Sequence, residues 1–121
     1  MPSVLSERES DACVDIVANV QAARDFIDGM PYEASAADLR TNYAVIRCIE
    51  IVSEASRRLG AAFKARHPHI PWQDVADTGN FYRHAYHRVA LDIVWRTVHE
   101  PPMEIAVVCR AELEAHQDPA A

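Results

Sequence analysis

Three observations predict an all-α fold for this chain of 121 residues: half of its side chains are hydrophobic, only three residues are glycine, and its apolar positions recur at intervals of three and four. The length fits one domain, spanning 1–121 with a core from about 7 to 116, and a chain this long buries roughly two-thirds of the surface its unfolded form exposes.

The first helix is predicted from about Glu7 to Asp28. Ser6-Glu7-Arg8-Glu9 has the S-x-x-E form of a capping box, and Cys13, Ile16, Val17, Val20 and Ile27 follow at helical spacing. Gly29 can end it in a left-handed cap, and Pro31 cannot continue it. Tyr32 to Ala37 reads as a connection with a short turn capped by Ser35. A second helix is predicted from about Ala37 to Leu59, where Val45, Ile49, Val52 and Leu59 make one stripe and Gly60 is the stop. Its other face carries Arg47, Glu50, Glu54, Arg57 and Arg58, which periodicity alone reads as a solvated ladder of ion pairs. Ala61 to Arg66 makes a short helical turn. The X-Pro steps before Pro68 and Pro71 then force an extended connector ending at Trp72, where a third helix starts. A new helix is expected over Leu91 to Trp95 after a turn near Tyr86. Glu100-Pro101-Pro102 interrupts it, Met103 to His116 resumes with Ile105, Val108 and Leu113 roughly on one side, and the tail from Asp118 frays.

Twelve basic and eighteen acidic residues leave a net charge of −6, which argues against a general nucleic-acid binder. The charge is uneven. From Lys64 to Arg88 four bases face two acids, with four histidines among them, so a local anion site on an acidic body is expected. Cys13, Cys48 and Cys109 are far apart in sequence and form no C-x-x-C pair, which reads as core packing in a reducing cytosol. The N-terminus has no signal-peptide pattern and no stretch reaches the ~18 apolar residues of a membrane span, so a soluble, cytoplasmic protein is expected.

Asn80 to His87 packs an arginine, two histidines and two tyrosines into two turns. Imidazole is divided between acid and base forms near neutrality, and guanidinium is shaped to hold phosphate oxygens, so the pairing points to phosphodiester chemistry. A continuous helix would gather Asn80, Arg83, His84, His87 and Arg88 into one arc. The plain alternative for Arg83, His84 and Tyr86 is a polar helix surface with a packed tyrosine, and for His87 that alternative is favoured. Trp72 and Trp95 read as core or interface anchors. No metal-ligand spacing is visible, and no metal or cofactor is expected.

Taken with the His67-to-Trp72 run before it and Leu91-Asp92-Ile93-Val94-Trp95 after it, this block resembles the HepT-like ribonucleases of the HEPN superfamily. Their signature is an arginine, four to six residues, a histidine and, two further on, a tyrosine. His84 and Tyr86 match it, whereas Gly79 stands at the usual arginine position and Arg83 is the nearby guanidinium. Val52-Ser53-Glu54-Ala55 is similar to the family's Ile-Gly-Glu-Ala segment, which implies that Glu54 lines the same cleft with Arg47. The resemblance further implies a HEPN-type bundle of about five helices acting as a homodimer. It implies a toxin of a toxin–antitoxin pair that cuts RNA without metal, by 2′-hydroxyl attack, leaving a cyclic phosphate. His84 would be general base or acid, Arg83 would balance phosphorane charge, and Asn80 would hold the ring or the substrate. Tyr86 would accept AMP from an MNT-type nucleotidyltransferase antitoxin. The alternative is a catalytically degenerate HEPN-type partner of that nucleotidyltransferase, which is not an enzyme, and Gly79 is the residue that favours it.

Overall fold

A computed structural model of the chain describes residues 4–84 and 104–117, with all side chains in those ranges except at positions 36, 80–84 and 117. The regular elements among the described residues are all helices: α1 Glu7–Ile27, α2 Tyr32–Ala37, α3 Leu39–Ser56, α4 Ala61–Arg66, α5 Trp72–His84 and α6 Glu104–Gln117. The all-α expectation holds. The predicted break near Tyr86, the segment from Leu91 to Trp95, the interruption at Glu100 to Pro102 and the tail from Asp118 lie outside the described residues.

α1 begins as its capping box dictates. Ser6 Oγ accepts from the Glu9 amide at 3.0 Å and Glu9 Oε1 accepts from the Ser6 amide at 3.1 Å, which satisfies two of the amides a helix start leaves bare. The same carboxylate reaches across the fold, its Oε2 accepting from the Gly60 amide at 2.9 Å ahead of α4. Gly29 turns the chain out of α1 with φ of +76°, a conformation that costs a residue with a Cβ.

The segment after Pro31 differs from the sequence expectation. Tyr32–Ala37 is a helix rather than a connection, and α3 starts at Leu39 rather than near Ala37. Asp38 explains the boundary. It leaves helical geometry, and its carboxylate accepts from the Arg40 amide at 3.2 Å and from Thr41 Oγ1 at 2.7 Å, so it caps α3. Ser35 sits inside α2, where its carbonyl accepts from the buried Asn42 side chain at 3.0 Å.

The core lies where α1 packs on α3 and α6, and α3 packs on α5. Ala12, Ile16, Val20, Ala23 and Ile27 of α1 recur every three or four residues and are buried against Val45, Ile49 and Val52 of α3 and Ile105 and Cys109 of α6. Phe63 of α4 is fully buried and meets Trp72 edge to face at 6.1 Å between ring centroids. All three cysteines are buried, and Cys13 and Cys109, remote in sequence, meet at the α1–α6 interface. The contact between the two thiols lowers the Cys13 pKa and, with burial, raises that of Cys109.

The connector before α5 is a turn rather than the extended segment expected, the Ile70 amide donating to the His67 carbonyl at 3.2 Å, and it is held from both sides. Trp72 Nε1 donates to the His67 carbonyl at 3.0 Å, and Ile70 is buried. Glu112 of α6, its side chain 10% exposed, accepts from Arg66 Nε at 2.9 Å and Nη2 at 3.1 Å and lies 2.7 Å from His67 Nε2. Burial alone would raise the Glu112 pKa, but the bonds from Arg66 and His67 outweigh it and hold the carboxyl below its ordinary value of 4.5. Among the described residues no helix is long and apolar enough to cross a membrane.

A carboxylate with a depressed folded pKa contributes stability that is complete above its unfolded pKa and is lost as the pH falls through the folded one. Glu112→Gln is therefore expected to cost about 1–2 kcal/mol at pH 7, toward the low end for bonds to a charged group because Arg66 remains partly exposed. The gap between variant and parent, followed by denaturant unfolding, should close as the pH falls below about 4.5.

Candidate functional site

α3 and α5 pack together most closely at Ser53. Ser53 Oγ donates to the Ala76 carbonyl at 2.8 Å and accepts from the Gly79 amide at 3.1 Å, so one hydroxyl is satisfied as donor and acceptor inside the interface. The crossing requires glycine on α5. A Cβ built on Gly79 would lie 2.8 Å from Ser53 Oγ and 3.1 Å from Ser53 Cβ, distances that force one helix to move. Gly79, which the resemblance sets at the arginine position, is thus buried against α3.

Beyond this crossing α5 continues unbroken through His84, so positions 80, 83 and 84 belong to its last turn. At about 100° per residue, positions 83 and 80 start about 20° and about 40° around the axis from Ala76, on either side of it, and position 84 about 80° from it. The side chains of Asn80, Arg83 and His84, and all of Tyr86 and His87, lie outside what is described, so their expected convergence is not addressed by the geometry.

The two expected cleft residues of α3 are described. Arg47 is 70% exposed and lies 3.9 Å from Glu50; Glu54 is 65% exposed and lies 3.4 Å from Arg58. Arg58 turns toward α1, where it binds Asp15 at 2.7 Å, a bond that raises the Arg58 pKa despite partial burial. The predicted ion-pair ladder is therefore present for Arg47, Glu50, Glu54 and Arg58. Arg57 departs from it. Its Nη2 crosses to α5 and donates to the Ala76 carbonyl at 2.6 Å. Sequence reading grouped Arg57 with the solvated ladder, because periodicity reports the face of a helix and not the neighbour across it.

A cavity of about 180 Å³ opens between α1, α3, α5 and the start of α6, lined by Val20, Val52, Val75 and Ile105 with Asn19 and Asp74. Its lining is mainly apolar, the polar side chains Asn19, Ser53 and Thr78 already donate to backbone carbonyls, and no Lys, Arg or His lines it. Among the described residues no group of three or more His, Cys, Asp or Glu side chains is arranged to hold a metal ion.

The description "Ribonuclease HepT-like" matches residues 16–109. The chain is 33% identical over 96 residues to the probable ribonuclease HepT of Thermococcus cleftensis, covering 79% of this chain and 87% of that protein. It is 29% identical over 97 residues to a protein of Methanocaldococcus jannaschii that carries an RNase name, MJ1380, covering 79% and 89% of the two chains. No solved structure matches.

The crossing generates a direct prediction. Gly79→Ala should lower stability by about 1–3 kcal/mol, as overpacking does, although alanine is the better helix former. In a Ser53→Gly background, which removes both atoms the new Cβ meets, the added cost of Gly79→Ala should largely vanish, although Ser53→Gly is itself destabilising. Equal unfolding midpoints for parent and Gly79→Ala would show that the contact is not tight.

Proposed function

Because this chain belongs to the HepT-like ribonuclease family, we propose that it is the toxin subunit of a toxin–antitoxin pair and cleaves RNA without a metal ion. In this reading a ribose 2′-hydroxyl attacks the adjacent phosphorus, the 5′-oxygen leaves, and a cyclic phosphate remains. His84 takes the proton from the 2′-hydroxyl or returns one to the leaving oxygen, and a guanidinium balances the charge on the phosphorane oxygens. Asn80, one turn before the histidine, holds its ring or the substrate. The observation that carries the reading is the continuity of α5 from Trp72 through His84, tied to α3 at Gly79. A catalytic histidine on a helix anchored one turn away loses little freedom in reaching its reactive position.

Partners follow from the same reading. The cognate antitoxin is an MNT-type nucleotidyltransferase that adenylylates Tyr86, adding bulk and negative charge where RNA phosphate must approach. The protein acts as a homodimer, a reading supported by the exposed Val14, Phe26, Leu39 and Val107.

One observation favours a second reading. Gly79 is packed on Ser53 with no room for a side chain, so the guanidinium of the signature is missing from its usual position. A chain that kept the helices and lost the arginine would serve as a non-enzymatic partner of the nucleotidyltransferase.

RNA incubated with the protein in excess chelator should yield fragments with cyclic phosphate ends, and His84→Ala should reduce the rate by about 10²–10⁴-fold. If Arg83 replaces the missing guanidinium, Arg83→Ala should cost about 10²-fold or more and Arg83→Lys should recover only part. A parent protein that cuts no RNA yet accepts AMP on Tyr86 from a nucleotidyltransferase would establish the second reading instead. Light scattering at micromolar concentration should report twice the 13.5 kDa chain mass, and a monomer there would rule out the homodimer.

A further inference from the structure

Four arginines in α3, in the turn that follows it and in α4 have described partners, and one of them differs in kind. Arg47, Arg58 and Arg66 each meet a carboxylate within 4 Å. Arg57 meets none among the described residues; its contact is the Ala76 carbonyl of α5, and the residue is exposed. The nearby acids are engaged elsewhere: Glu50 with Arg47, Glu54 with Arg58, and Asp77 with the Gln73 amide at 3.0 Å.

The Ala76 carbonyl does not need Arg57. A carbonyl oxygen has two lone pairs. This one accepts the helical bond from the amide four residues on, as any carbonyl inside α5 does, and the Ser53 hydroxyl at 2.8 Å. The guanidinium is a third donor to a filled acceptor, with four N–H groups in reserve. A phosphate oxygen would accept a charge-assisted bond roughly twice as strong as the neutral one it replaces.

Resting on the ribonuclease reading above, we propose that Arg57 binds a phosphate of the RNA where α3 meets α5 beside Ala76. Position 84 lies eight residues further along α5, about 12 Å along the axis at 1.5 Å per residue. That separation is too long for both to act on one phosphorus and suits a phosphate flanking the scissile one. Arg57 is in this assignment a substrate-binding residue that sets where the strand lies, and α5 is the ruler that connects it to the histidine.

The test uses the full chain and a short single-stranded RNA in two forms. Binding is read by fluorescence anisotropy on a 2′-O-methyl strand, which lacks the nucleophile, and cleavage on the unmodified strand in chelator. Arg57→Gln keeps a donor for the Ala76 carbonyl and removes the charge; Arg57→Lys keeps the charge. Each single-strand phosphate contact contributes about 0.7 to the slope of log affinity against log salt, so Arg57→Gln should flatten that slope by about 0.7 while Arg57→Lys preserves it. KM should rise several-fold in Arg57→Gln, by more than any fall in kcat. A folded Arg57→Gln protein with the parent's salt slope and KM would overturn the proposal, since a purely structural tie to Ala76 predicts that outcome. A parent that binds the 2′-O-methyl strand but cuts nothing would defeat the ribonuclease reading and leave the slope to decide on Arg57. A parent that binds no RNA would overturn both.

Discussion

The hydroxyl of Ser53 is the point on which the α3–α5 half of the fold depends. It bonds two backbone groups of α5, and it does so only because Gly79 brings bare backbone to within reach. Helices that meet through long side chains sit about 8–10 Å apart, and their bonds to each other run between exposed tips. Here a short side chain and an absent one draw the axes together, bury the bond, and fix the rotation of α5 as well as its distance. Every position that follows on α5, up to His84, takes its direction from that contact.

The other end of α5 is fixed by a different chemistry. The connector from His67 to Pro71 does not continue the helix, and the Trp72 indole bonds the His67 carbonyl at its start together with the Lys64 carbonyl in the last turn of α4. Glu112 then gathers Arg66 and His67 onto α6 in a largely buried cluster. A carboxylate in that setting is stable only while both donors stay in place, so the cluster ties α4, the connector and α6 into one unit. α5 is thereby held at its start by ionic and indole bonds and in its middle by a close-packed hydroxyl.

Much of this was legible in the sequence. The capping box at Ser6 and Glu9, the stop at Gly29, the α3 stripe, the short α4 and the Trp72 start all depend on local chemistry, which a sequence displays directly. The boundary at Asp38 was missed because an apolar stripe carries no sign of which acidic residue will fold back to cap it. Ser53, Gly79 and Arg57 escaped for a related reason. Gly79 was noted for the arginine it replaces and Arg57 for its helix face, but the contacts they make arise from neighbours 19 to 26 residues away. Arg47 and Glu54 lie on the exposed face of α3 that the ion-pair pattern predicts, yet the cation that crosses to α5 is Arg57.

Gly79 also limits what the site can be. One backbone position cannot both pack against Ser53 and project a guanidinium, because the first Cβ of any longer side chain already meets the hydroxyl and its carbon. A cation serving this site must therefore come from another position. Position 83 lies one turn on, near the stripe that meets α3, and a residue there starts about 100° around the axis from position 84. Arg57 starts at the end of the opposite helix and already touches α5, but a turn before Gly79. Neither reproduces the geometry of an arginine at 79, and the two differ in what they can contribute. A group beside the histidine can act on charge that develops in the transition state, whereas one about 12 Å away along the helix can only bind a strand already in place. On the ribonuclease reading proposed above, the close crossing that steadies α5 separates binding from charge stabilisation. It assigns the first to the end of α3 and leaves the second to whatever the last turn of α5 carries.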